Sequence, residues 1–325
     1  MEKDEREVIV QVESLYKQYG SLSAVDGISF NIYRSEVLGF LGPNGAGKST
    51  TIDLITTLQR PSSGNIYYPG LGNTNQMRLI RQHIGIVPQE LAIYGNLSVR
   101  DNLIYIGEMY GLHGKRLHQR IEQLLKEFGL LDKAGERART LSGGLKRRLN
   151  FALADIHSPE LIFLDEPTVG LDPNARQLVW QIVQDFRQAG KTVLLTTHYM
   201  EEAEVLCDRI ILIDRGKIIA QGTPGELKSA LGDELVLTYH VSGLVPGQII
   251  AALSQVPGVR QVSGEGNTLR LVVRRDQAEA VKGWLAGERL AVNGLVTEDI
   301  SLEDVFVYFT GRHLQEADSA GRDQA

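Results

Sequence analysis

Three short stretches hold residue types whose spacing can do chemistry on a phosphate. Gly42-Pro43-Asn44-Gly45-Ala46-Gly47-Lys48-Ser49 fits the pattern G-x-x-x-x-G-K-[ST]. Glycines there let backbone N–H groups curl around phosphate oxygens at the positive end of the helix that follows. Lys48 is then placed to reach the β- and γ-phosphates of a nucleotide and the Ser49 hydroxyl to ligate Mg²⁺, with Thr50 completing the set. In the second stretch an apolar run over 161–164 ends in Asp165-Glu166. Asp165 suits the Mg²⁺ shell through a water, and Glu166 suits orienting or deprotonating the attacking water. A buried, salt-bridged acid pair is the plainer alternative. In the third, Leu141-Ser142-Gly143-Gly144 precedes a helix expected to begin near Leu145. Ser142 would cap it, and the glycines leave its first amides bare for an anion.

These residues need elements to hold them. Val37–Leu41, Ile84–Val87, 192–196 and Arg209–Asp214 read as strands, as does 161–164. Several are apolar throughout, as strands buried on both faces are. Their alternation with helical segments up to about Gly222 predicts a mainly parallel sheet with crossover helices. The phosphate loop leaves one such strand at Leu41 and enters a helix near Ser49. Between Leu97 and Ala154 strands disappear. Leu103, Ile106 and Tyr110 give one helical face, and Ile121, Leu124, Leu125 and Phe128 another, which predicts an inserted helical subdomain. Gly222-Thr223-Pro224-Gly225 is turn chemistry, with a short helix expected over 226–231. Beyond Gly232, Leu235, Leu237, Tyr239 and Val241 alternate, as do Leu269, Leu271 and Val273, with helical stretches over 248–253 and 278–285. That texture predicts a small α+β domain of βαββαβ type.

In their order along the chain, these motifs resemble an ATP-binding-cassette (ABC) ATPase over residues 8–222. Residues 141–144 match the family signature, and 161–166 the Walker B strand with its catalytic glutamate, as the phosphate loop is Walker A. The resemblance implies further roles. Gln89, in Gly85-Ile86-Val87-Pro88-Gln89, is the Q-loop glutamine, which contacts Mg²⁺ and links to a membrane partner. Gly170-Leu171-Asp172 is the D-loop, which crosses a dimer interface. His198, in Thr196-Thr197-His198, is the switch histidine that contacts the γ-phosphate. Tyr19, just before Gly20, is the aromatic that stacks on adenine, a contact of about 1–3 kcal/mol by analogy with base stacking; Tyr16 is a neighbouring candidate. In isolation His198 reads as a structural histidine, Tyr19 as surface packing, and Gln89 and Asp172 as polar loop residues. Leu145 departs from the pattern, since the family usually has Gln there. Contacts that this glutamine makes to the nucleotide across the dimer are thereby in doubt.

The implied fold is an α/β P-loop NTPase of ABC type with an inserted helical subdomain, plus a small C-terminal α+β (ferredoxin-like) domain. The implied boundaries are 1–225 for the nucleotide-binding domain (helical subdomain about 97–155), 226–233 for a linker, 234–312 for an accessory or regulatory domain and 313–325 for a flexible tail. The implied activity is hydrolysis of ATP to ADP and phosphate with Mg²⁺. Lys48, Ser49, Asp165, Glu166 and His198 of one subunit would face Ser142, Gly143 and Gly144 of another, in a homodimer or heterodimer that drives a separate integral-membrane permease. Leu91, Ile93, Tyr94 and Leu97 show no regular rhythm and would help form the groove for a permease helix, although core packing explains some of them. Ser301-Leu302-Glu303-Asp304-Val305-Phe306, followed by Thr310-Gly311, resembles the closing motif of an exporter branch that includes daunorubicin-type resistance ATPases. Ser301 and Asp304 also suit a helix-start capping pattern.

Composition bounds the rest. The 325 residues suffice for one large domain and a small one. A net charge of −6 offers nucleic acid no global attraction, and none is expected as a partner. The longest apolar runs, 161–164 and 210–213, fall far short of the roughly 20 residues that cross a bilayer. Residues 1–7 are mostly charged and no apolar core follows, so no signal peptide is expected. The single cysteine, Cys207, fits a reducing cytoplasm and reads as core packing. The expected place is therefore the cytoplasmic face of a membrane, held peripherally by the permease. Lys146-Arg147-Arg148 reads as a solvated helix face. One rival is a soluble ABC ATPase of DNA repair, chromosome maintenance or translation; the paired cassettes, coiled-coil insertions or zinc-binding cysteines usual there are missing from the sequence. A nucleotide-binding regulator without hydrolysis is the other, and Glu166 and His198 argue against it.

Overall fold

A computed structural model describes residues 6–287 and 292–310. The chain divides between Gln221 and Gly222 into two compact units. In the first, β1 (Val8–Tyr19) and β2 (Leu22–Tyr33) pair antiparallel, and β3 (Val37–Leu41) leads through the phosphate loop into α1 (Lys48–Ile55). Next come β4 (Ser63–Tyr68), β5 (Gly72–Asn73), α2 (Met77–His83) and β6 (Ile84–Val87). Three helices follow: α3 (Val99–Met109), α4 (Gly114–Glu127) and α5 (Gly143–Ala154). The unit continues with β7 (Leu161–Asp165), α6 (Pro173–Gln188), β8 (Thr192–Thr197), α7 (Met200–Leu206), β9 (Arg209–Asp214) and β10 (Lys217–Gly222).

Six strands form one sheet in the order β10-β9-β3-β8-β7-β6, with parallel pairing from β9 through β6. Every residue of β3 and β8 is buried, so neither strand alternates: β3 is apolar throughout, and β8 is apolar but for Thr192, Thr196 and Thr197 at its ends. Leu41 pairs with Thr197 and Asp165 with Thr196. That register brings the phosphate loop, the two acidic residues and His198 to the same carboxyl edge of the sheet, where open α/β sheets bind ligands.

A second sheet, in the order β2-β1-β4-β5, is antiparallel and was not legible as such in the sequence. The β1–β2 register shifts in four places and Ser14 takes a positive φ, so bulges break the two-residue alternation. Val10, Val12, Ile28 and Phe30 from it pack with Phe40, Ile52, Phe163 and Leu194 in one core, Phe30 meeting Phe40 edge to face at 5.0 Å. The helices follow apolar spacing: Leu117, Ile121, Leu124 and Leu125 are the buried stripe of α4. Asn102, fully buried on α3, donates to the carbonyls of Tyr94 and Ser98 and accepts from the Tyr94 N–H, pinning the segment before the helices.

The second unit opens with α8 (Pro224–Ser229), started by a Thr223–Glu226 capping box. It continues through β11 (Glu234–Val241), α9 (Gly247–Leu253), β12 (Val259–Glu265), β13 (Thr268–Arg274), α10 (Ala278–Gly287), β14 (Val292–Asp299) and α11 (Leu302–Thr310). The antiparallel sheet order β12-β13-β11-β14 with two crossover helices is ferredoxin-like. Residues 226–233, read above as a linker, hold most of α8. At α11, the Ser301 N–H donates to Asp304 Oδ2 at 2.9 Å and the Asp304 N–H to Ser301 Oγ at 3.3 Å, while Arg270 grips both Asp304 oxygens at 2.9 Å. Gly311 and the tail over 313–325 lie outside the described residues.

Candidate active site

β3 enters the phosphate loop fully buried, and α1 leaves it with a bare end. Gly47 occupies the N-cap at φ 102° and supplies no side-chain acceptor. Ser98, Ser142, Asp172 and Thr223, by contrast, cap their helices with side-chain oxygens. The first amides of a helix lack intrahelical acceptors, so α1 keeps a positive end for an anion. A Cβ on Gly47 would lie 2.3 Å from the Ala24 carbonyl oxygen, and one on Gly42 2.1 Å from that of Ile213. Glycine is what permits both approaches. Asn44 and Gly45 form the exposed tip. Lys48 is buried, its Nζ donating to the Gly42 and Pro43 carbonyls at 2.8 and 3.0 Å.

The ends of β7 and β8 face this loop. Ser49 Oγ donates to Asp165 Oδ1 at 3.0 Å, and Thr196 Oγ1 donates to the same oxygen at 2.6 Å. Glu166 is 7% exposed, with Oε1 3.4 Å from Lys48 Nζ and Oε2 accepting from Gln89 Nε2 at 3.2 Å. His198 Nδ1 stands 3.6 Å from Oε1, just beyond a made hydrogen bond, and has no other partner. Burial pushes the Glu166 pKa up, but His198 and Lys48 outweigh it and hold the carboxyl below its ordinary value. It is thus an ionised carboxylate at neutral pH. Its backbone is strained, at φ 45°, a conformation that costs a non-glycine residue about 1–3 kcal/mol and recurs at active sites. The Glu166 N–H donates to Thr196 Oγ1 at 2.9 Å, fixing one side of that peptide.

Lys48, Ser49, Gln89, Asp165, Glu166 and His198 are therefore brought together. Ser142, Gly143 and Gly144 are not. Ser142 caps α5, its Oγ accepting from Leu145, and the helix begins at Gly143, slightly earlier than expected. The interactions of these three residues stay within α5. Ser142 and Gly143 are exposed, and a Cβ on either glycine would meet nothing within 4 Å. Among the described residues, nothing requires glycine there. Tyr19 is exposed at the end of β1, bonded to Gln59 and topped by Lys17; Tyr16 instead packs its ring against Gly27. Asp172 caps α6 by accepting from Ala175. Leu91 and Tyr94 are exposed, and Tyr94 meets Tyr105 edge to face at 4.9 Å.

Two supporting residues escaped the sequence reading. Thr196 bridges Asp165 and Glu166, and only the strand register reveals it. Arg147, expected on a solvated face, is 6% exposed, and that expectation is corrected. Its neighbours Lys146 and Arg148 are partly exposed. The missed signal was phase: Arg147 shares the i, i+3, i+4, i+7 spacing of buried Asn150, Phe151 and Ala154.

A profile of the family described as "ABC transporter" matches residues 25–169. The linearmycin resistance ATP-binding protein LnrL of Bacillus subtilis is 40% identical over 312 residues, covering 95% of this chain and 100% of that one. The daunorubicin/doxorubicin resistance ATP-binding protein DrrA of Streptomyces peucetius is 38% identical over 93% of this chain and 92% of its own. Among solved structures, cbiO1 of Clostridium perfringens, part of the ABC transporter complex cbiONQ, superposes with a TM-score of 0.64 at 27% identity, over 77% of this chain and 96% of that one. Likeness of this depth, along nearly the whole of two resistance proteins, makes the chain a member of the ABC transporter family, one of its ATP-binding proteins.

Proposed function

We propose that the protein is the ATP-hydrolysing subunit of an ABC exporter, working as a pair of cassettes with ATP between them and driving a separate membrane permease. The observation that carries this reading is Glu166, a buried carboxylate within reach of Lys48, Gln89 and His198. Lys48 exchanges the loop carbonyls for β- and γ-phosphate oxygens, which the backbone N–H groups of the loop residues other than Pro43 also hold. Glu166 orients a water and takes its proton as the water oxygen attacks the γ-phosphorus and the bond to the β-phosphate oxygen breaks. His198 holds the γ-phosphate, and Tyr19 stacks on adenine.

Mg²⁺ takes few protein ligands and keeps waters and phosphate oxygens. The donor set fits: Ser49 Oγ and Asp165 Oδ1 lie 3.0 Å apart, and no cluster of three or more His, Cys, Asp or Glu occurs among the described residues. Ser49, Gln89 and, through water, Asp165 would hold the ion, which would supply charge neutralisation on the phosphates.

Pairing is supported by Ser142, Gly143 and Gly144, which among the described residues make no hydrogen bond beyond α5. They take the γ-phosphate of the nucleotide on the other cassette, without the contacts that the family's glutamine makes, since Leu145 stands in its place. A permease is supported by exposed Leu91, Tyr94 and Tyr105, and no helix among the described residues is long and apolar enough to cross a membrane. The resistance names of the relatives support export as the direction. Such a subunit sits on the cytoplasmic face of the membrane, and its second unit steadies or regulates the pair.

Glu166→Gln is expected to keep ATP binding and to slow hydrolysis by at least roughly 100-fold, the scale of losing one transition-state group. Unchanged turnover in that variant would overturn the reading. Purification from membranes in mild detergent is expected to bring down a multi-span protein that raises the ATPase rate. Replacing Ile93 and Tyr94 with Ser should abolish that co-purification.

A further inference from the structure

Arg147 is a buried cation held entirely by main-chain carbonyls. Its Nε donates to Pro167 O at 2.9 Å, Nη1 to Pro88 O and Gln89 O at 3.1 Å each, and Nη2 to Glu166 O at 3.3 Å. Its guanidinium carbon lies 5.9 Å from the Phe151 ring, and no ion pair among the described residues involves it. No carboxylate of the described residues lies within ion-pair distance, and Asp165 and Glu202 act on the charge only at longer range, so charge-assisted hydrogen bonds have to offset the remaining cost of burial. Only the planar fork of arginine reaches four acceptors in two directions; lysine is a point charge and cannot.

The four carbonyls are not scattered. Two belong to Pro88 and Gln89 and two to Glu166 and Pro167, the peptides that carry the Gln89 and Glu166 side chains, themselves hydrogen-bonded at 3.2 Å. Glu166 keeps its left-handed backbone with Thr196 on its N–H and with Arg147 and the Val169 N–H, each at 3.3 Å, on its C=O. Arg147 stands on α5, five residues beyond Ser142, so the helix that presents Ser142, Gly143 and Gly144 outward holds both loops inward. A helix transmits displacement along its length without bending much. We propose that Arg147 is a positioning residue that makes the productive placement of Glu166 and Gln89 conditional on the seating of α5. Engagement of the exposed end of α5 is thereby read at the hydrolytic carboxylate of the same chain. This inference rests on the ATPase reading above and deepens it.

The test uses full-length protein with Arg147→Lys and Arg147→Met, each alone and combined with Glu166→Gln. Binding of a fluorescent ATP analogue counts the folded, binding-competent fraction, and rates are normalised to it. The expected result is a KM for Mg-ATP within about threefold of the parent and a kcat lower by roughly 100-fold, the scale of a misplacement on the order of 1 Å. In the Glu166→Gln background the same substitutions should cost less than about threefold, because the group they position is gone. Hydrogen exchange should quicken at residues 88–91 and 166–169 and stay unchanged in β7 and β8. A kcat that returns to the parent value after normalisation, or equal losses with and without Glu166, would overturn the inference and assign Arg147 to stability alone. Failure of the ATPase reading would look different: the parent itself would not hydrolyse ATP, or Glu166→Gln would not slow it.

Discussion

At the residue scale, glycines in the two stretches proposed to bind phosphate answer to different constraints. Gly47 is pressed against the Ala24 carbonyl at φ 102°, while Gly143 faces open space with ordinary helical geometry. Gly47→Ala should therefore destabilise the free protein by about 1–3 kcal/mol and abolish nucleotide binding. Gly143→Ala should leave the unfolding midpoint unchanged or raised, keep binding of ATP to the phosphate loop, and still lower hydrolysis at least tenfold. Thermal melts and a binding titration on the two variants check this, and equal melting losses would refute it. The contrast also shows what was legible. The phosphate loop, Asp165 and Glu166 could be read because their chemistry depends on residues adjacent in the chain. Thr196 and Arg147 could not, because their partners lie 19 to 59 positions away, and only strand register and helix phase bring them together.

At the element scale, strands buried on both faces and amphipathic helices announced themselves, whereas the bulged β1–β2 ribbon did not. Alternation survives only in pieces, at Val8, Val10 and Val12 and at Ile28, Phe30 and Ile32; register shifts interrupt it, so the two 12-residue strands do not show as continuous patterns. Element junctions carry a titratable contact as well. His157, between α5 and β7, stacks flat on Tyr110 at the end of α3 (3.7 Å, 2°) with Nε2 3.0 Å from the Ile84 carbonyl. Burial, with the Lys191, Arg120 and His83 charges, pushes its pKa down to about 4. The unfolded chain protonates this imidazole near 6.5, so the folded state binds fewer protons between these values. The contribution, on the order of 3 kcal/mol, is complete above pH 6.5 and disappears as pH falls toward 4. His157→Phe keeps the stack and removes the proton, so its denaturant midpoint should vary less between pH 7 and pH 4.5 than the parent's. Parallel profiles for the two proteins would refute this.

At the scale of the whole molecule, each unit has a core drawn from its own residues. Leu237, Leu271, Val273 and Val281 pack with other residues of the second unit, and Phe40, Ile52 and Phe163 with others of the first. A fragment spanning 222–310 should fold by itself and melt in one cooperative step, measurable by circular dichroism. Removing residues 233–325 from the chain should leave ATP binding intact while altering pairing or ATPase rate; no change in either would deny the second unit the steadying role proposed for it.

Ser142 and Gly143 lie open on the surface, with all their interactions inside α5. On the proposed pairing, a site finished by someone else's helix gives hydrolysis a kinetic order. In dilute solution the hydrolysis rate should grow with the square of protein concentration, turning linear only once most chains have found a mate. Adding an excess of chains disabled at Lys48 but intact at Ser142 should then raise, not lower, the turnover of scarce parent chains, since each disabled copy still brings the missing half.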